Sequence, residues 1–118
     1  MTAPGVKYGT VNDIPWEPHP TLPGVKVKKI YTKAENIGIT SFLACIDKGH
    51  RTDIHVHENS DDILYVLEGT GKFYIEGVGE IDLAPGSYAR APKGIKHGIV
   101  EVGDQDLILF EVFHPEFL

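Results

Sequence analysis

The sequence predicts an all-β fold, a single domain built as a β-sandwich or β-barrel. Thirteen glycines and eight prolines interrupt the 118-residue chain, and the short runs between them alternate apolar and polar residues. Such alternation is typical of half-buried strands, and many short strands joined by Gly/Pro turns favour a sandwich or barrel. No stretch combines helical periodicity with helix caps, and the length suffices for one hydrophobic core.

The predicted elements begin with a proline-rich stretch over residues 1–24. We expect either an arm that packs on the barrel or on a partner, with Trp16 as its anchor, or a loose terminus. The arm and a first strand together occupy residues 1–35, and residues 36–113 form the barrel core. The further predicted strands lie in the ranges 37–47, 62–69, 72–76, 80–86, 87–92, 97–102 and 106–113.

Composition excludes several classes of protein. A net charge of −6 disfavours a general surface for nucleic acids or anionic membranes. Cys45 is the only cysteine, so neither an internal disulfide nor a cysteine-rich metal cluster is available. The N-terminus lacks the features of a signal peptide and no apolar run approaches about 20 residues. We therefore expect a cytoplasmic protein.

The segment IHVHENSDD, residues 54–62, carries the strongest functional signal. Residues two apart in a strand point to the same face, with Cα atoms about 6–7 Å apart. His55 and His57 would then project side by side, and two such imidazoles can bind one divalent ion. Asp62 would share the inward face of the next strand with Leu64 and Val66. A buried carboxylate needs a partner, which a metal ion would supply.

His97 is the third candidate ligand. It follows a Pro-Lys-Gly turn, at the start of a predicted strand. Three histidines and one carboxylate on different strands of a small barrel would form a mononuclear site with open coordination positions. His19, His50 and His114 lie outside this pattern, and we expect them at the surface or in turns.

These residues form two motifs in which the sequence resembles the cupin superfamily. The first motif consists of a glycine, five residues, His-x-His, three or four residues, an acidic residue, six residues and a glycine. In this sequence its members are Gly49, His55, His57, Asp62 and Gly69. The second has the members Gly86, Pro92, Gly94, His97 and Glu101. The match covers residues 49–101, and only 16 residues separate the motifs, which is typical of small single-domain cupins.

The resemblance implies a double-stranded β-helix, or jelly-roll, barrel with a metal held by His55, His57, His97 and Asp62. Two positions depart from the family pattern. Asp62 replaces the usual glutamate and reaches about 1.5 Å less far, so the backbone moves in, a water bridges, or Asp62 lies outside the ligand set. Glu101 replaces an asparagine that the family does not use as a ligand.

Such a site suits Fe, Mn, Ni, Co or Zn as a divalent ion. The apolar neighbours Leu64, Val66 and Ile99 predict a pocket for a small, partly apolar organic molecule. We expect a metal-dependent enzyme, with a dioxygenase-type oxidoreductase slightly favoured. The alternatives are an isomerase, lyase or decarboxylase of sugars or keto acids, and a non-catalytic binding protein. No residue is assigned as the general acid or base, although Glu101 and Glu111 are candidates.

A homodimer is also expected, because sheet edges are usually covered and small cupins commonly pair. The apolar side chains of residues 11–30 would cover the sheet of a neighbour.

Overall fold

A computed structural model describes residues 5–118 of the protein. Residues 1–4 of the predicted N-terminal arm lie outside the described residues. The described strands are β1 (Glu17–Pro18), β2 (Val25–Tyr31), β3 (Thr40–Ile46), β4 (Asp61–Glu68), β5 (Gly71–Ile75), β6 (Gly79–Leu83), β7 (Tyr88–Ala91), β8 (His97–Val102) and β9 (Leu107–His114). Over the same residues, helical structure is limited to two three-residue 3-10 turns, Val11–Asp13 and Lys33–Glu35. The all-β prediction is confirmed.

The strands form two antiparallel sheets. The larger sheet has the strand order β1-β2-β3-β9-β4-β7, and the smaller has the order β6-β5-β8. Strands distant in sequence are therefore neighbours, as in the predicted jelly roll. No helix in the described part of the chain is long and apolar enough to span a membrane.

The core lies between the two sheets, because successive residues of each strand face opposite sides. In β4, Asp62, Leu64 and Val66 are at most 5 % exposed, whereas Ile63 and Tyr65 are more than 40 % exposed. Burial also alternates at the start of β9 and of β2, whereas β3, in the middle of the larger sheet, is buried at almost every position. The predicted inward face of Asp62, Leu64 and Val66 is confirmed.

The predicted arm has more structure than the sequence indicates. β1 pairs with β2 in the register Glu17↔Val27, and the backbone N–H of His19 donates to the carbonyl of Val25, N–O 2.9 Å. The arm thus packs on the edge of its own larger sheet. Trp16 lies under the ammonium of Lys28, which is 4.9 Å from the ring centroid.

One local prediction is wrong. The segment that carries His55 and His57 does not form a continuous strand; only a single isolated bridge joins it to the barrel, between His55 and His97. The polar sequence of residues 58–61 turns the chain so soon that no longer ladder can form. The two histidines are therefore placed by separate contacts.

Candidate metal centre

His55 and His97 are held opposite each other by two backbone hydrogen bonds. The N–H of His55 donates to the carbonyl of His97 (2.8 Å), and the N–H of His97 donates to the carbonyl of His55 (2.9 Å). Reciprocal bonds of this kind define a directly opposed antiparallel pair. The imidazole centroids consequently lie 4.6 Å apart.

The orientation of these two rings is fixed by their Nδ1 atoms. Nδ1 of His55 donates to the carbonyl of Asp53 at 2.7 Å, and Nδ1 of His97 donates to the carbonyl of Ile95 at 2.9 Å. A carbonyl oxygen can only accept, so the Nδ1 atoms carry the protons. In the neutral rings, the Nε2 lone pairs are then available to a metal ion.

His57 reaches the same point from the turn that precedes β4. Its ring packs on Phe113 and Phe117 at centroid distances of 5.2 and 5.3 Å, and lies 5.1 and 5.2 Å from the rings of His55 and His97. Its backbone carbonyl accepts a hydrogen bond from the N–H of Gly94, 2.8 Å. Aromatic packing therefore takes the place of the regular strand that the sequence predicts here.

Asp62, the second residue of β4, completes the cluster. The residue is 5 % exposed, and its Oδ2 lies 3.2 Å from Nε2 of His97. Its Oδ1 is buried without a hydrogen-bond partner among the described residues. When His97 is neutral with its proton on Nδ1, two acceptors face each other, and either a second proton on Nε2 or a metal ion beside them relieves this contact.

The four side chains fit a divalent transition metal. The ligand atoms of His55, His57, Asp62 and His97 all lie within 4.8 Å of one another. Ligands about 2.1 Å from a shared ion lie up to about 4.2 Å apart, so small side-chain movements complete the geometry. The nitrogen-rich donor set without thiolate suits Fe, Mn, Co, Ni or Zn.

The lowered pKa values of two of the histidines suit metal binding, which requires neutral imidazoles. Burial lowers the pKa of His57 to about 4, against the opposing charge of Asp62. Burial likewise lowers the pKa of His55. Burial acts in the same direction on His97, but its hydrogen bonds to Asp62 and Ile95 outweigh that effect and leave its pKa raised.

The cluster lines a small cavity inside the barrel, with a free volume of about 30 Å³. One water needs about 10–15 Å³ of such space, so there is room for about two or three waters. Its apolar wall includes Leu64, Phe73 and Ile99. The predicted apolar surroundings are confirmed for Leu64 and Ile99, whereas Val66 is buried in the core away from this cavity.

Glu111, which the sequence left without a position, lines this cavity. It lies on β9 between the buried residues Leu109 and Phe113, two positions from each, so it shares their inward face. Burial raises its pKa well above the usual value, and the charge of Asp62 adds to this. The sequence of β9 is apolar at both odd and even positions, so it does not show on which face Glu111 lies. Glu101, the other candidate, is exposed on β8.

His19 also lines the cavity, which contradicts the expectation that it lies at the surface away from the site. Burial, followed by the charge of His55, lowers its pKa. Nothing in the local pattern of residues 17–24 could have indicated this, because the β1–β2 pairing brings the arm to the cavity. His50 and His114 are exposed, as expected.

A second group of potential ligands, Cys45, Asp47 and Asp106, lies elsewhere in the fold. Cys45 is buried, and burial raises the pKa of its thiol to about 11, with the charge of Asp106 adding to the effect. A neutral thiol is a poor metal ligand. The structure thus agrees with a packing role for Cys45.

The family model described as "Cupin domain" matches residues 42–113. No curated protein matches the chain.

Several solved structures share the fold. KdgF from Halomonas sp. superposes with a TM-score of 0.81 at 23 % identity, covering 94 % of this chain and 96 % of that one. A predicted oxalate decarboxylase from Thermotoga maritima superposes with a TM-score of 0.82 at 22 % identity, and the match covers 92 % of this chain and 99 % of that one. An RmlC-like cupin from Shewanella frigidimarina superposes with a TM-score of 0.75 at 22 % identity, and the match covers 92 % of this chain and 89 % of that one. At these identities the likeness is one of fold.

Proposed function

The chain belongs to the cupin domain family, and from that premise we propose that it is a metal-dependent enzyme acting on a small organic molecule. One divalent transition metal is held by His55, His57 and His97, with Asp62 as a weaker ligand. The observation that carries the proposal is the contact between Nε2 of His97 and Oδ2 of Asp62, 3.2 Å, beside the unpartnered Oδ1. When His97 is neutral, this contact joins two buried acceptors, and a metal ion bound to both would relieve it.

Three or four protein ligands leave an octahedral ion two or three positions for other molecules. A metal in such a site supplies Lewis-acid polarisation of a ligand oxygen or, if it is iron, activation of dioxygen. Residues of the chain supply the rest of the site. Leu64, Phe73 and Ile99 exclude bulk water from the cavity, and Glu111 presents a carboxyl group to it.

Two reaction classes compete within this proposal. The apolar wall supports a dioxygenase-type oxidoreductase, as the sequence predicts. The carboxyl of Glu111 supports an isomerase, lyase or decarboxylase instead, because these reactions need a group that gives or takes a proton near the metal. A non-catalytic small-molecule binder would need neither feature.

Metal content tests the site. Protein purified without a histidine tag should contain about one equivalent of Fe, Mn, Ni, Co or Zn by elemental analysis. The double variant His55→Ala/His57→Ala should lose it, since two of the imidazoles are removed. His50→Ala, which removes an exposed imidazole, is the matched control and should keep the metal. Unchanged metal content in the double variant would refute the site.

Turnover distinguishes the reaction classes. The apo-protein is reconstituted with each metal and supplied with diketones, catechols, small keto acids and uronates, with and without oxygen. Turnover that requires Fe(II) and consumes oxygen supports the dioxygenase. Turnover under anaerobic conditions with several metals, lost in Glu111→Gln, supports the second class. Binding without turnover under any metal supports the binding protein.

A further inference from the structure

His19 is fixed in one tautomer by the turn that follows it. The backbone N–H groups of Thr21 and Leu22 both point at Nδ1 of His19, with N–N distances of 3.1 Å each. Nδ1 must accept both hydrogen bonds, so it carries no proton. The ring is therefore neutral, with its proton on Nε2.

The rest of the arm holds this ring in place. The backbone N–H of His19 donates to Val25 at 2.9 Å, and its ring meets the buried Phe42 edge-on at a centroid distance of 6.1 Å. Pro18 and Pro20 flank the residue and restrict the backbone on both sides. The imidazole thus reaches the cavity already oriented, which lowers the entropic cost of a hydrogen bond to a ligand.

Nε2–H of His19 is left as a donor at the cavity. Among residues 5–118, no group accepts a hydrogen bond from it. The cavity is shared with the metal cluster, in which three neutral imidazoles and one carboxylate would leave a divalent ion with a net positive charge. A donor next to a positive centre matches a ligand with a negatively charged oxygen.

We propose that His19 is a positioning residue whose Nε2–H donates a hydrogen bond to a carboxylate ligand bound at the metal centre. The inference rests on the proposed function, since it requires the metal, and it narrows the substrate class to small carboxylic acids. The free volume of about 30 Å³ agrees with a ligand of few atoms.

His19→Asn separates the two roles of the imidazole. The Asn side-chain oxygen, placed close to the position of Nδ1, can accept the same two backbone N–H groups and preserve the turn, but no donor remains at the position of Nε2. His19→Gln does the reverse, because its longer amide brings an N–H near that position. His50→Asn is the control for loss of an imidazole outside the cavity.

The measurement is titration of Co(II)-loaded protein with acetate, followed by the visible absorption of the metal. His19→Asn should bind acetate about 3- to 10-fold more weakly, the effect of one hydrogen bond to the ligand. Its Co(II) affinity should stay at the wild-type value. His19→Gln should recover part of the acetate affinity, and His50→Asn should behave as wild type.

The ring can also be examined without any metal. Nitrogen chemical shifts of the apo-protein should show His19 with a protonated Nε2 and an unprotonated Nδ1; the opposite tautomer would overturn the inference. Equal acetate affinity in wild type and His19→Asn, or no response of the wild type to acetate, would also overturn it. Failure of the wild type to bind Co(II) would instead refute the proposed function.

Discussion

At the scale of single residues, Asp61 and Asp62 show how one position along a strand decides the role of a carboxylate. Asp61 points outward, where it accepts hydrogen bonds from Arg90 at 2.7 and 2.9 Å and from the N–H of Lys93 at 2.9 Å. These partners, the Lys93 N–H first, hold its pKa below the usual value. Asp62 points inward, where its Oδ2 contacts Nε2 of His97, and burial together with the charge of Asp62 raises the pKa of Glu111.

This pair of residues provides a matched test of the metal site. Asp62→Ala should weaken metal affinity by about 10- to 100-fold, because a shorter carboxylate contributes less than an imidazole ligand. Asp61→Ala removes the same charge one residue away and should leave metal affinity unchanged. Competition with a chelator gives both affinities. Complete loss of metal in Asp62→Ala would show that Asp62 is a full ligand.

The residues of the centre differ in how well the sequence predicts them. His55, His57, Asp62 and His97 could be predicted because motif spacing fixes both identity and order. Glu111 could not be placed, because β9 is apolar at both odd and even positions and its inward face is decided by packing. His19 could not, because its position depends on the pairing of β1 with β2, and a two-residue strand has no periodicity of its own.

At the scale of elements, the segment before β4 is placed by its close approach to β8. The N–H of Thr52 donates to the carbonyl of Ile99, and the N–H of Ile99 donates to Oγ1 of Thr52, both at 2.8 Å. Gly98 lies between this contact and the His55–His97 pair. A Cβ there would lie 2.9 Å from the carbonyl oxygen of Asp53 and 3.2 Å from Cα of Ile54.

Gly98→Ala should therefore weaken the metal site without touching a ligand. The added methyl group meets backbone atoms, which cannot rotate away, so residues 53–55 must move from β8 and carry His55 with them. Such overpacking costs about 1–3 kcal/mol of unfolding free energy, measurable by urea denaturation of the apo-protein. Metal content should fall together with stability.

Gly9→Ala is the control for Gly98→Ala, because a Cβ at Gly9 meets nothing within 4 Å. It should keep wild-type stability and metal content. If Gly98→Ala retained full metal affinity, the close approach of the two segments would not position His55.

Strand prediction from the sequence succeeded where turn residues bound a short apolar run. β4 and β9 follow the predicted ranges closely because each is a largely apolar run bounded by polar or glycine residues. The segment of residues 54–57 does alternate, with Ile54 and Val56 between polar neighbours, yet both are exposed and the histidines face inward. Alternation indicates two faces, but it does not establish a hydrogen-bonded neighbour on each side.

At the scale of the whole molecule, the larger sheet carries an apolar outer face. Tyr65 is paired in register with Phe110 on one side and Tyr88 on the other, so the three aromatic residues form a row across β9, β4 and β7. They are 36–81 % exposed, and Ile63 and Leu67 extend the surface along β4. Contiguous exposed apolar surface of this kind marks an interaction site.

A second copy of the chain is the occupant that this face suits. The chain has a net charge of −6, so repulsion between two copies is weakest when they meet through an uncharged surface. The aromatic row is uncharged, and the Arg90–Asp61 ion pair near it is neutral as a whole. A two-fold contact covers both faces at once. The N-terminal arm is expected from the sequence to cover the sheet of a second copy. In the single chain, its strand β1 pairs with β2 of the same chain.

We therefore predict a homodimer through the outer face of β4, β7 and β9. Light scattering at micromolar concentration should give twice the mass of the chain. Tyr65→Glu/Tyr88→Glu should give a monomer, because it places two charges per chain in the contact. Val78→Glu changes an apolar residue that is 68 % exposed in the turn between β5 and β6, and it should remain dimeric. A wild-type monomer would refute the dimer, and a dimeric double variant would show that the copies meet through another surface.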